Sequence, residues 1–174
     1  MLGQLAIRDV VLIDRLELEF EAGLGVLTGE TGAGKSILLD SLGLALGARA
    51  DSGLVRQGQE GATVSAELML PSGHPALALL AAQGIESEPG EPLVLRRTLK
   101  SDGGSRAFVG GISVSAATLR DIGALAVEIH GQHDDRGLLN PRGHRALLDS
   151  FGRLSTNAVA GGWVEVSALE RGEL

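Results

Sequence analysis

The sequence predicts an α/β fold in which a mixed sheet begins with an antiparallel pair of strands. Residues 15–20 alternate between apolar and charged side chains, as in a half-buried strand, and they closely follow an apolar run at residues 4–13. A glycine-rich segment at residues 29–36 lies between another apolar run and a predicted helix. The 174 residues are enough for one domain with a hydrophobic core.

Hydrophobic periodicity and turn residues predict the remaining elements. Strands are expected at residues 4–13, 15–20, 25–29, 61–70, 91–99, 105–111 and 124–130, and helices at residues 35–47, 74–84, 113–123 and 140–152. The first two strands are joined by a tight connection at Ile13-Asp14, so we expect them to pair antiparallel, with Leu16, Leu18 and Phe20 on one face. The short strands 25–29 and 124–130 are apolar enough to be buried.

The residues at the helix ends set the expected boundaries. The helix at 35–47 is apolar around most of its circumference, so we expect it to be buried, and Gly47 closes it. Gly84 ends the second helix, and Ser113 or Ser115 begins the third. Pro141 lies in the first turn of the fourth helix.

Composition excludes several classes of protein. The sequence has no run of 18 apolar residues, which a membrane span would need. The net charge of −7 argues against a domain that grips nucleic acid over its whole surface, so any DNA contact is local or made by a partner. Cysteine is absent, which removes disulfides and cysteine-based zinc sites and fits a reducing cytoplasm.

The segment GETGAGKS matches the phosphate-binding motif G-x-x-x-x-G-K-[ST] at every fixed position. Its glycines let successive backbone N–H groups point at phosphate oxygens, and the following helix presents its positive end to an anion. Lys35 can reach the β- and γ-phosphates, and the Ser36 hydroxyl can bind Mg²⁺. The predicted ATP-binding residues are Gly29, Glu30, Thr31, Gly32, Ala33, Gly34, Lys35, Ser36 and Ile37. The motif indicates a P-loop NTPase.

Other classes of P-loop protein fit less well. The sequence has no Asn-Lys-x-Asp segment to read guanine, which argues against a GTPase. A stand-alone phosphotransferase of the kinase type remains an alternative, although the antiparallel pair ahead of the P-loop suits other ATPases better. A binding module that uses nucleotide only for structure also remains open.

Several segments together resemble one family. Residues 5–51, 55–68, 93–123 and 127–152 are similar, in this order, to the N-terminus of the RecN family of bacterial DNA repair ATPases, which are related to SMC proteins. The resemblance implies an ABC-type ATPase head whose N-terminal lobe spans residues 1–153. Residues 154–174 would then begin a coiled-coil arm or form a truncated tail.

The resemblance also assigns a role to the segment VEIHGQHDD. In ABC-type ATPases a glutamine after a buried strand contacts Mg²⁺ and the attacking water, and Gln132 stands at the matching position. The resemblance makes Lys35 and Gln132 the catalytic residues and Ser36 and Gln132 the metal neighbours. A neutral amide oxygen suits this role better than the imidazoles of His130 and His133.

The family pattern also predicts what the chain needs from elsewhere. We find no Leu-Ser-Gly-Gly-Glu signature and no apolar strand that ends in Asp-Glu. We therefore expect a fragment or half-lobe that hydrolyses little ATP by itself. Its partners would be a C-terminal lobe of the same protein, a second head in an ATP-dependent dimer, and DNA. The expected location is the cytoplasm, near the nucleoid.

Five residues carry weaker hypotheses. His130 and His133 could bind zinc, although the hydrogen bonding of a loop explains them more simply. Arg49 and Arg56 could approach the nucleotide or DNA, although plain surface arginines are the simpler interpretation, and Arg8 could lie near the nucleotide phosphates from the first strand. The basic hairpin at residues 96–106 could touch DNA phosphates, and a solvated charged face is the commoner explanation.

Overall fold

The computed structural model of the protein describes residues 1–28, 34–88, 90–127 and 129. The chain divides into two units, Met1–Ile129 and His130–Leu174, and every described residue belongs to the first. The predicted helix at 140–152 and the predicted division at 153/154 lie outside the described residues. The lobe boundary therefore stays a prediction.

One six-stranded sheet organises the described unit. The strands are β1 (Leu2–Val10), β2 (Ile13–Glu19), β3 (Gly61–Leu68), β4 (Leu93–Lys100), β5 (Ser105–Val109) and β6 (Ile112–Val114). Their order across the sheet is β2-β1-β3-β4-β5-β6. All strand pairs among the described residues are antiparallel, so the parallel pairing implied by the predicted mixed sheet is not seen there.

In the two central strands, β3 and β4, buried side chains alternate strictly with less buried ones. In β3 every second residue from Ala62 to Leu68 is buried, and in β4 the buried positions begin at Leu93 and likewise alternate. Because successive side chains point to opposite faces, this pattern gives the sheet one covered face and one open face. The predicted strands 61–70 and 91–99 are confirmed, with slightly different ends.

Three helices cover the buried face. They are α1 (Lys35–Ala45), α2 (Pro75–Ala82) and α3 (Ala116–Ala126), and a short 3₁₀ helix spans Ser52–Leu54. One core cluster joins α2, α3 and Leu46 to strands β3, β4 and β5, and a second joins α1 to β1 and β3. No helix among the described residues is long and apolar enough to cross a membrane.

Two short strands predicted from apolar runs differ from the structure in their described parts, while residues 29, 128 and 130 lie outside the described residues. Residues 25–28 form no strand, and Val26 and Leu27 are 75% and 57% exposed. An apolar run becomes a strand only where a neighbour takes its hydrogen bonds, and none of the described strands pairs with this one. The second predicted strand, 124–130, begins inside α3, which continues to Ala126 before Val127 becomes extended.

Smaller differences concern connections and burial. The hairpin between β1 and β2 turns at Val11-Leu12, because Val10 pairs with Ile13, so the predicted turn at Ile13-Asp14 is two residues late. Helix α1 is less buried than expected, since Leu39 is 48% exposed. Strand β6 is too short for its periodicity to be recognised in the sequence.

Candidate nucleotide-binding site

The helix that follows the P-loop begins where the sequence predicts. Gly34 is the residue before α1 and has φ 87° and ψ 3°, a left-handed conformation that glycine adopts without strain. Its carbonyl accepts the first hydrogen bond of the helix, from the N–H of Leu38 at 3.1 Å. No described side chain caps this end, and the first turn has no acidic residue. The positive end of the helix dipole is therefore not neutralised by the helix itself.

The described motif residues lie together on the first turn of α1. Lys35 is half-buried, the Ser36 side chain is exposed, and Ile37 packs against the core cluster beneath the helix. The packing of Ile37 orients the turn, so that Ser36 stays on the solvent side. Gly29, Glu30, Thr31, Gly32 and Ala33 lie outside the described residues, as do His130, Gln132 and His133. The structure therefore describes one end of the candidate site.

The three arginines considered for a nucleotide role occupy different places. Arg8 lies on the open face of the sheet, 73% exposed and 3.7 Å from the Asp9 carboxylate. Helix α1 covers the other face, beside Ile7, and the hypothesis that Arg8 reaches the phosphates from the first strand stays a prediction. Arg56 contacts the carboxylate of Asp14 at 3.1 Å, and Arg49 is exposed.

Strand register gathers basic residues that are far apart in the sequence. The open face carries Arg8, Arg15, Arg96, Lys100 and Arg106, here called the basic face. Arg15 is opposite Arg8, Arg8 is opposite Thr63, Thr63 is opposite Thr98, and Thr98 is opposite Arg106. This row crosses five strands, a distance of about 19 Å at the usual strand spacing. The row cannot be recognised in the sequence, because only the register shows that the arginines of β1 and β2 line up with the β4–β5 hairpin.

Two contacts modify the charge of the basic face. The carboxylate of Glu17 accepts hydrogen bonds from Arg15 at 2.7 and 3.1 Å, and this pairing raises the pKa of the exposed Arg15 guanidinium. The Arg96 guanidinium lies 4.8 Å from the centre of the Phe108 ring, a cation–π contact between opposite residues of β4 and β5. Arg8, Lys100 and Arg106 are also exposed, and Arg8 lies 3.7 Å from the Asp9 carboxylate.

One arginine lies on the covered face. Arg97 is only 4% exposed, and its Nη2 donates to the Ser105 hydroxyl at 3.0 Å while its Nε has no acceptor. Burial lowers the pKa of Arg97, and the nearby positive charge of Arg120 lowers it further. Among the described residues no carboxylate forms an ion pair with Arg97. Described His, Asp and Glu side chains also form no group of three that could hold a metal ion.

Comparisons with known proteins agree on the fold and the family. Residues 4–104 match a family model described as an AAA domain. The DNA repair protein RecN of Bacillus subtilis (strain 168) is 45% identical over 151 residues, which cover 87% of this chain and 26% of that protein. The chain thus spans about a quarter of the length of this curated relative.

Solved structures show the same architecture. An SMC ATPase structure from work on ATP-driven dimerization and DNA-stimulated activation superposes with a TM-score of 0.61 and 22% identity, covering 86% of this chain and 98% of that one. The recombination mediator RecF with ATP superposes with a TM-score of 0.50 and 18% identity, covering 66% of this chain and 27% of that one. These likenesses confirm the predicted ABC-type ATPase head fold. The chain therefore belongs to the AAA domain family and is a homologue of the RecN DNA repair proteins.

Proposed function

We propose that this chain is the ATP-binding N-terminal lobe of a RecN-like, SMC-family ATPase that acts in DNA double-strand break repair and recombination. The observation that carries the proposal is the complete P-loop motif, whose last glycine begins α1 in a left-handed conformation. The relatives named above are DNA repair proteins and give no support to the phosphotransferase alternative.

The described residues fit a magnesium–nucleotide complex. The uncapped N-terminus of α1 offers backbone N–H groups and positive partial charge to phosphate oxygens. Lys35 and Ser36 stand on the first turn, where an ammonium would bind the β- and γ-phosphates and a hydroxyl would bind Mg²⁺. Mg²⁺ would neutralise charge on the phosphates, and Gln132 would contact both the ion and the attacking water.

Completion of the site requires a second polypeptide segment. We infer that a C-terminal lobe supplies the signature and the carboxylate strand, and that a second head joins in an ATP-dependent dimer. The exposed apolar side chains of Leu24, Val26 and Leu27, just before the P-loop, support this inference. They are 95%, 75% and 57% exposed, and apolar surface in contact with water is unfavourable in free energy. Pairing with a strand of the C-terminal lobe would cover them.

DNA is the third proposed partner, and the basic face is its proposed contact. A net charge of −7 opposes general nucleic-acid binding, whereas the basic face concentrates five cations on one surface. Glu19 and Glu67, opposite Gln4 on either side of β1, are acidic residues toward the other end of the sheet. Phosphate contacts of this kind position a duplex without reading its sequence.

Nucleotide binding is tested with the two lysines of the chain. Lys35→Ala removes a charged contact to phosphate, so we expect MgATP affinity, measured by calorimetry, to fall at least about tenfold, which corresponds to about 1.4 kcal/mol. Lys100→Ala is the matched control, because Lys100 is exposed at the end of β4 on the open face. Equal affinities for wild-type protein and Lys35→Ala would contradict the proposal.

Catalysis is tested by assembly. The chain alone should turn over little ATP, and a C-terminal lobe from a RecN relative, added as a separate polypeptide, should raise phosphate release. Gln132→Ala in the mixture should largely keep nucleotide binding while hydrolysis falls. Turnover that is steady without the added lobe, or that survives Lys35→Ala, would argue against an ATPase of this design.

A further inference from the structure

The C-terminal end of α1 is closed by a Schellman motif. The N–H of Gly47 donates to the Leu44 carbonyl at 3.1 Å, and the N–H of Ala48 donates to the Gly43 carbonyl at 2.9 Å. This pair of bonds requires a left-handed residue after the helix, and Gly47 has φ 91°. The helix that begins at the P-loop thus ends in a fixed geometry.

This end of α1 lies directly against the backbone of α3. A Cβ atom added at Gly47 would overlap the backbone nitrogen of Arg120 and would lie 2.7 Å from its Cα. In return, a Cβ added at Gly123 would lie 2.5 Å from the Leu46 carbonyl oxygen. Each glycine therefore makes room for the backbone of the other helix, and neither helix can slide without losing the contact.

A side-chain hydrogen bond spans the same contact. Arg120 Nε donates to the Gly47 carbonyl at 3.3 Å. A cation at the C-terminal end of a helix is favourable, because the helix dipole places negative partial charge there. Leu119 and Ile122, on the neighbouring turns of α3, are fully buried in the core cluster that also contains Leu46. The glycine contact is therefore held by packing on both sides.

We propose that Gly47 and Gly123 lock α1 to α3, so that ATP bound at the start of α1 restrains α3. The inference rests on the proposed function, because it requires nucleotide at the N-terminus of α1. Gly47, Arg120 and Gly123 are thus positioning residues, which act on the nucleotide site only through the contact between α1 and α3.

Hydrogen exchange with and without saturating MgATP tests the coupling. In wild-type protein we expect MgATP to slow exchange of residues 116–126 by about fivefold or more, the lower end of typical coupling between sites. Gly123→Ala should abolish this nucleotide-dependent change while MgATP affinity stays within about threefold, since the phosphate end of α1 is untouched. Gly43→Ala is the matched control on α1, because its Cβ would meet only the Ala48 Cβ, at 3.8 Å.

Arg120→Met provides a second variant if Gly123→Ala fails to fold, as shown by the loss of a cooperative melt. It removes the donor to Gly47 and leaves both glycines in place, so we expect a reduced but measurable nucleotide effect on α3. Binding of MgATP without any change in α3 exchange would overturn the inference alone. A full nucleotide effect in either variant would overturn it as well, whereas no MgATP binding to the wild-type chain would overturn the proposed function and the inference together.

Discussion

At the residue scale, Arg97 is the side chain whose position conflicts most with its chemistry. It occupies a covered position of β4 between Leu95 and Leu99, which are both buried. One neutral hydroxyl accepts from its guanidinium, and among the described residues the charge that shifts its pKa is the like charge of Arg120. A buried cation with so little compensation costs free energy in the folded state. The cost applies at every accessible pH, because arginine stays protonated throughout.

We expect Arg97→Met to raise the free energy of unfolding by about 1 kcal/mol. Methionine keeps a similar length, fills irregular space and needs no counter-charge, and Ser105 is exposed and can bond to water instead. Urea denaturation of the chain measures the change, and Arg106→Met, an exposed neighbour on the same hairpin, should stay within about 0.5 kcal/mol. A loss of stability in Arg97→Met would indicate that an anion from outside the described residues pairs with Arg97.

At the element scale, the sequence predicted the features that depend on residues close together in the chain, such as the alternation of a strand or the end of a helix. The strict alternation in β3 and β4 follows from one covered face, and the glycines after α1 and α2 have the positive φ angles that helix ends require. The apolar run at 25–29 was misread because strand formation depends on a neighbour, which periodicity does not reveal. Helix α3 was predicted too short, because the apolar residues Ala124–Ala126 suit either a helix turn or a buried strand.

In the candidate site, too, features made of contiguous residues were predicted from the sequence, whereas features that join distant residues were not. The P-loop motif located the start of α1, because its residues are contiguous in the sequence and each has its own chemical reason. The basic face depends on strand register, and the contacts of Gly47 with Arg120 and of Gly123 with Leu46 depend on helix packing; both join distant parts of the chain. Neither could be read from spacing along the sequence. The role of Gln132 stays a prediction.

The start of α3 offers a clean test at this scale, since two serines were candidates for its cap. The Ser115 hydroxyl accepts from the N–H of Thr118 at 3.0 Å, whereas Ser113 is an exposed residue of β6 opposite Phe108. Ser115→Ala should lower the free energy of unfolding by about 1 kcal/mol, the usual value of an N-cap. Ser113→Ala, measured in the same urea series, should change it by less than about 0.5 kcal/mol. Equal effects would show that the cap contributes nothing specific.

At the scale of the whole molecule, an acidic chain carries five cations on one open face of the described sheet. An acidic chain that places cations on one open sheet face repels polyanions from most orientations and attracts them in one. The covered face carries α1 with its candidate nucleotide site, so the two proposed ligands would bind on opposite sides of the sheet. Nucleotide and DNA would then influence each other through the sheet and the attached lobes, without competing for the same residues.

This arrangement makes the salt dependence of DNA binding the most informative measurement. Each phosphate contact contributes about 0.9 to the slope of log affinity against log salt for duplex DNA. The triple variant Arg8→Ala, Lys100→Ala, Arg106→Ala should therefore lower the slope by up to about 2.7, with a uniform loss of affinity across DNA sequences. Arg15 is left in place, because Glu17 already pairs with it.

The matched control is Arg49→Ala, which removes an exposed arginine in the segment after α1 instead of one on the sheet. The DNA titrations use fluorescence anisotropy with the head assembled from this chain and a RecN C-terminal lobe. The MgATP affinity of the triple variant should match that of the wild type, because the basic face and α1 lie on opposite sides of the sheet. An unchanged slope in the triple variant, or an equal fall in Arg49→Ala, would place the DNA contact elsewhere. A loss confined to one DNA sequence would also argue against backbone contacts, since phosphates are the same in every sequence.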